Sequence, residues 1–152
     1  DLQFVLVGGS PLPEGWCTLP NVRLTGRVPY EVVSRYMAAM DVLIMPWNKS
    51  EWIKACNPVK LKEYLAIGRP VVTTEFRALD GWRDVVRVAE DAESFAAAIR
   101  AGLAEGFNVG RVLPRLEKET WDAKADLVLN TLKAVAHARQ TAPMEIGQPV
   151  LA

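Results

Sequence analysis

Short runs of apolar residues alternate along this chain with stretches of helical periodicity. Five of the runs predict strands, at residues 4–7, 22–25, 42–45, 71–74 and 85–88, because most of them are too short and too apolar for helices. Between them, apolar residues recur at a spacing of three and four, which predicts helices around residues 33–40, 61–65 and 95–103. A longer helix is predicted from about Thr120 to Arg139.

Strands that alternate with helices indicate an α/β protein. The predicted architecture is a mostly parallel sheet with helices on both faces, in which ligands bind outside the carboxyl ends of the strands. We predict one domain over residues 1–142. Residues 143–152 contain two prolines and one glycine without periodicity, and they are predicted to form a flexible tail.

Residues 57–72 are the most informative segment of the chain. Asn57 is a favourable N-cap and Pro58 a favourable first helical residue, so a helix is predicted to begin here. The unpaired backbone amides at such a helix start attract phosphate. The first turn carries Lys60 instead of the acidic residues that normally complement the helix dipole. The start of this helix is therefore a candidate anion site.

The surroundings of this helix start are positively charged. Residues 49–62 contain four lysines and one acid, a local charge of +3, in a chain with 18 basic and 18 acidic residues. A focused patch on a neutral chain favours a small anionic ligand over a nucleic acid. The alternative is that the lysines are solvated on an exposed helix face. Trp47 and Trp52 flank the segment and either stack on a ligand or, as we favour, anchor the loop by packing.

Composition limits the remaining possibilities. With 152 residues, half of them apolar, the chain fits one soluble domain without a segment that could span a bilayer. The two cysteines lack metal-ligand spacing, and a reducing, cytoplasmic setting is expected. Asp80 and Asp84 lack the close pairing of a metal-carboxylate site, so no metal and no cofactor is expected.

Four passages of the sequence follow one another in a specific order. They are residues 4–9 (FVLVGG), 21–29 (NVRLTGRVP), 36–46 (YMAAMDVLIMP) and 60–72 (KLKEYLAIGRPVV). Over roughly residues 2–138 the chain resembles the C-terminal, donor-binding domain of GT-B glycosyltransferases of the retaining, family-4 type. The resemblance implies a Rossmann-like fold and the transfer of a sugar from a nucleotide-diphosphate sugar, with no metal.

The resemblance also implies a set of residues that surround the donor: Val28, Asn57, Pro58, Val59, Lys60 and Glu63. Glu63 matches the glutamate that holds the ribose hydroxyls, a role that suits a carboxylate with two acceptor oxygens. Lys60 and the first helical amides would neutralise the diphosphate leaving group, so Lys60 and Glu63 are the expected catalytic residues. Pro58 has no N–H, which leaves Val59 and Lys60 as the amide donors. Val28 matches a position that contacts the base.

The chain departs from the family pattern at two points. Ala55 occupies the position of the first motif glutamate, the one that faces the sugar. Either Asn57 or a lysine takes over part of that contact, or the sugar is held differently. The first strand, its glycine loop and a basic pair have no counterpart, and neither has the acceptor domain. That strand is central in the family's sheet, so we expect a gap between two groups of strands, low stability and no sugar transfer by this chain alone.

These departures leave other functions open. A non-catalytic nucleotide- or saccharide-binding module of a polysaccharide assembly complex would suit the missing acid at position 55. A GT-B-fold isomerase acting on UDP-sugars is a further alternative. For the transferase, exopolysaccharide or glycolipid synthesis is expected, either in the cytoplasm or with peripheral association at the inner face of the membrane.

Overall fold

The structure is a computed structural model that describes residues 2–9 and 19–141. The predicted tail, residues 143–152, lies outside the described residues. The chain divides into two compact units, Asp1–Leu113 and Pro114–Ala152. The extent of the predicted domain, residues 1–142, stays a prediction.

The described strands form two separate parallel sheets, both in the first unit. In the smaller sheet β1 (Phe4–Leu6) pairs with β2 (Val22–Leu24), and Phe4 lies opposite Val22. In the larger sheet β3 (Leu43–Met45) pairs with β4 (Val71–Thr74), which pairs with β5 (Arg87–Ala89). The sequence predicted this α/β class, the parallel pairing and the gap between two groups of strands, and all three are confirmed.

Helices connect and flank these strands in the first unit. α1 (Tyr30–Ala39) joins the two sheets, and α2 (Glu51–Ala55) and α3 (Val59–Ile67) lie between β3 and β4 in the chain. α4 (Ala92–Glu105) follows β5 and begins with a capping box, in which Asp91 Oδ1 accepts the Ser94 amide at 2.8 Å. These hydrogen bonds from Ser94 hold the pKa of Asp91 below its ordinary value.

The core of the first unit is centred on the larger sheet. Val71 and Val72 of β4 are almost completely buried, and α3 contributes Leu61 and Leu65, both with no exposed surface. Both faces of β4 are covered, which explains why this strand is apolar without alternation. The buried hydroxyl of Thr73 donates to the Met45 carbonyl oxygen at 3.1 Å, so it ties β4 to β3 through a side chain as well as the ladder.

The second unit contains a long helix preceded by shorter turns. α5 (Leu113–Leu116) crosses the boundary, a 3₁₀ turn covers Glu117–Glu119, and α6 spans Trp121–Thr141. The Thr120 hydroxyl accepts the Ala123 amide at 3.3 Å and so caps α6. The long helix predicted from about Thr120 to Arg139 is confirmed.

Candidate functional site

The beginning of α3 lies at the carboxyl end of β3. β3 and β4 are parallel neighbours, so the chain must return to the amino end of β4 between them. α3 is the last helix before β4 and therefore runs opposite to both strands. Its first residues accordingly stand at the edge of the sheet where α/β proteins bind ligands.

The predicted cap of α3 is wrong by one residue. The helix begins at Val59, Pro58 is the N-cap residue, and no side chain caps the helix. The Asn57 side chain is used elsewhere, because its Oδ1 accepts a hydrogen bond from Lys62 Nζ. Asn57 therefore fixes a lysine of the second turn instead of closing the first turn.

Two backbone amides at the start of α3 remain without acceptors in the described part of the chain. The Leu61 amide donates to the Pro58 carbonyl oxygen at 3.2 Å, whereas the amides of Val59 and Lys60 have no such partner. The first turn contains no acidic residue, as the sequence indicated. This helix start therefore keeps donor capacity for an anion even though its predicted cap is absent.

Lys60 and Glu63, the two residues expected to be catalytic, form an ion pair with each other. Lys60 Nζ lies 2.6 Å from Glu63 Oε2, and the two side chains are 41% and 27% exposed. Glu63 Oε2 is buried and has no aligned hydrogen-bond donor among the described residues, so the contact is electrostatic rather than a directed hydrogen bond. The pair leaves little net charge at this point of α3.

The site residues divide between two cavities. Val28, Lys60 and Tyr64 line a cavity of about 810 Å³ that also meets both sheet edges. Glu63 lines a second cavity of about 360 Å³, between α1 and α3. Burial raises the pKa of Tyr64, with Lys60 opposing the rise and Glu63 adding to it, so Tyr64 keeps its proton at neutral pH.

The remaining predicted positions lie at the helix start without lining either cavity. Val59 is 61% exposed and Asn57 is exposed, while Pro58 is half-buried. The structure thus brings Val28 and Lys60 to one cavity and places Glu63 within ion-pair distance of Lys60. It does not gather all six predicted residues around one space.

The lysines of the basic segment are more compensated than their number suggests. Lys54 Nζ lies 2.5 Å from Glu51 Oε1, both on α2. Together with the Lys60–Glu63 pair, this contact neutralises two of the four lysines. The positive patch read from the sequence is therefore weaker than its formal charge of +3.

The two tryptophans beside the segment pack on each other. Their rings meet edge to face, with centroids 6.3 Å apart and planes at 66°. The Trp47 carbonyl oxygen accepts the Thr74 hydroxyl at 2.9 Å, which holds the loop to β4. These contacts favour the interpretation that Trp47 anchors the loop after β3.

Arg27 lines the larger cavity together with Lys60, although sequence patterns alone gave it no role. It lies three residues beyond the end of β2 and directly follows Gly26, at the carboxyl end of that strand. A cation that follows a strand and a glycine is the signal that could have found it. Among the described residues, no group of three or more His, Cys, Asp or Glu side chains could hold a metal ion.

Parallel strands with flanking helices are consistent with the Rossmann-like half of a GT-B fold. Residues 1–105 match the sequence profile of the family described as Glycosyl transferases group 1. The chain therefore belongs to the group 1 glycosyl transferases. No helix in the described ranges is long and apolar enough to cross a membrane.

A curated relative carries a more specific name. The chain is 46% identical over 56 residues to the putative teichuronic acid biosynthesis glycosyltransferase TuaH of Bacillus subtilis (strain 168). The similarity covers 37% of this chain and 14% of that protein. The chain thus matches only a small part of its relative's length.

Proposed function

We propose that this chain is the donor-binding part of a retaining, family-4-type glycosyltransferase, which transfers a sugar from a nucleotide-diphosphate sugar to a saccharide or lipid acceptor. The acceptor would be held by a separate domain. The observation that carries the proposal is the start of α3, where two amides without acceptors stand beside the Lys60–Glu63 pair. Membership of the group 1 family supports the same interpretation.

In this proposal each residue acts on a different part of the donor. The amides of Val59 and Lys60 and the Lys60 ammonium contact the diphosphate. When the bond from the anomeric carbon to the phosphate oxygen breaks, its electron pair stays on that oxygen, and these donors stabilise the charge. Glu63 accepts hydrogen bonds from the ribose hydroxyls, and Val28 contacts the base. No metal is required by these roles.

The proposed setting is polysaccharide synthesis on the cytoplasmic side of the cell, with peripheral membrane association of the full-length protein. The name of the relative, which refers to teichuronic acid biosynthesis, supports a role in polysaccharide synthesis. One observation favours a second candidate, a non-catalytic nucleotide-binding module. α2 ends at Ala55, where a methyl group stands in place of a sugar-facing acid.

The test is calorimetric titration of the folded chain with UDP, GDP, ADP, CDP and TDP. We expect selective binding of one of them. Glu63→Gln should weaken that binding by about ten- to hundredfold, because a hydrogen bond to a charged group contributes about 1.5–3 kcal/mol. Glu51→Gln, in the exposed ion pair of α2, is the matched control and should leave binding unchanged.

Binding of inorganic pyrophosphate tests whether Glu63 acts by holding the ribose or only through its negative charge, because pyrophosphate has no ribose. Glu63→Gln releases Lys60 from its ion pair, so pyrophosphate should bind this variant at least as tightly as it binds the unaltered chain. A folded Glu63→Gln variant with unchanged affinity for the nucleoside diphosphate would contradict the ribose assignment. Lys60→Met should weaken binding of both the nucleoside diphosphate and pyrophosphate. Lys54→Met is its control and should leave both affinities unchanged.

A further inference from the structure

The loops that follow β1 and β2 are joined to each other. The Gly8 amide donates to the Gly26 carbonyl oxygen at 3.0 Å, and the Thr25 hydroxyl donates to the same oxygen at 2.9 Å. Gly8 and Gly26 have φ values of 134° and 68°, which favour glycine. This double contact fixes the backbone from which the Arg27 side chain extends.

The Arg27 side chain lies across the backbone of Gly9. A Cβ atom at Gly9 would be 2.7 Å from Arg27 Cγ and 3.3 Å from its Nε. Only glycine at this position leaves room for the arginine stem in its present path. The second glycine of the Gly-Gly pair therefore has a specific neighbour, the Arg27 stem.

Among the described residues that line the larger cavity, Arg27 is a cation without a carboxylate partner. The charged residues among its described lining are Arg27, Asp41 and Lys60. Asp41 precedes β3, whereas Lys60 lies in the first turn of α3, at the other end of that strand. Lys60 is paired with Glu63 at 2.6 Å, while Arg27 has no carboxylate partner among the described residues. The cavity's net positive charge at this end thus comes mainly from Arg27.

We propose that the Arg27 guanidinium binds the diphosphate of the nucleotide-sugar donor together with Lys60, which lines the same cavity. The inference rests on the proposed function and adds a binding residue to it. A guanidinium presents parallel N–H donors that match two phosphate oxygens, and it keeps its charge at any physiological pH. The charge of Lys60 is shared with Glu63, so a diphosphate needs this second cation to be neutralised.

The test compares Arg27→Met with Arg23→Met, a control that removes an exposed arginine of β2 outside the cavity lining. The probes are the preferred nucleoside diphosphate, its monophosphate and its nucleoside. Arg27→Met should weaken binding of the diphosphate at least tenfold, weaken binding of the monophosphate less and leave binding of the nucleoside unchanged. Arg27→Lys should retain part of the diphosphate affinity that Arg27→Met loses, and Arg23→Met should lose no affinity.

Gly9→Ala gives a second, independent perturbation. The added methyl group must displace the Arg27 stem, so this variant should also weaken binding of the diphosphate. Combined with Arg27→Met it should add little further loss, because both changes remove the same contact.

The outcomes separate this inference from the proposed function. If Glu63→Gln weakens the diphosphate and Arg27→Met does not, the donor site stands and the role of Arg27 is refuted. The role of Arg27 is also refuted if Arg27→Met weakens binding of the nucleoside as much as binding of the diphosphate. It is refuted as well if Arg23→Met weakens diphosphate binding as much as Arg27→Met does. A folded chain that binds none of the nucleotides refutes both proposals.

Discussion

Gly68 ends the helix that carries the candidate site, and replacing it should destabilise the chain by a calculable amount. Its φ and ψ of 78° and 33° are left-handed, a conformation that costs a residue with a Cβ about 1–2 kcal/mol. The new methyl group would lie 3.4 Å from Val109 Cβ, a tolerable contact. Gly68→Ala also restricts the unfolded chain, which returns about 0.4–1 kcal/mol. The expected net loss is about 1 kcal/mol.

Urea denaturation followed by circular dichroism and tryptophan fluorescence measures this loss, and agreement of the two probes checks that one transition is observed. A change of this size should also lower Tm by about 2–4 °C. Gly68→Asn should lose less, because asparagine tolerates the left-handed region. Gly81→Ala is the control, since its Cβ would meet nothing within 4 Å and its φ is not positive. If Gly68→Ala were as stable as the unaltered chain, or if Gly81→Ala lost as much, the reasoning would be refuted.

Two further predictions concern the same helix. Leu65→Ala should cost about 2–5 kcal/mol in urea denaturation because Leu65 has no exposed surface, whereas Leu103→Ala, at a side chain that is 46% exposed, should cost clearly less. Burial raises the pKa of Tyr64 above 10.0, so the unfolded chain loses this proton first and stability should fall as pH rises above that value. Tyr64→Phe should reduce this fall in a series of melting curves from about pH 8 to 11, and an unchanged fall would contradict the assignment to Tyr64.

The strands were predictable because short runs rich in apolar residues, bounded by turns, are typical of strands. The runs at residues 4–7, 22–25 and 42–45 each match a strand to within one residue, and β4 matches its run completely. The last run begins two residues before β5 and ends one residue before its end. The Val85 amide donates to the Trp82 carbonyl oxygen at 3.0 Å, so a turn occupies the first part of that run. Hydrophobicity alone does not distinguish a half-buried turn from a strand.

The helix start was predictable to within one residue, but the use of its side chains was not. Asn57 suits both an N-cap and a hydrogen bond to a lysine, and the preference for the cap is a statistical one. In the structure the proline conformation, with φ −72° and ψ 126°, belongs to the N-cap residue itself. Asn57 is then one residue too early to reach the first amides, and it pairs with Lys62 instead.

The residues that supply the positive charge of the site could not all be predicted from the linear sequence. Counting residues 49–62 assigns the positive potential to lysines, yet Lys60 and Lys54 each have a carboxylate within 2.6 Å. In each pair the two residues are three positions apart on the same helix, α2 for Lys54 and α3 for Lys60, so both pairs could be foreseen from the spacing. Arg27 is 33 positions before Lys60, and only the folded arrangement of β2 and α3 around one cavity brings the two cations to the same space. An anion that entered this cavity would therefore depend more on an arginine outside the basic segment than on most of the lysines within it.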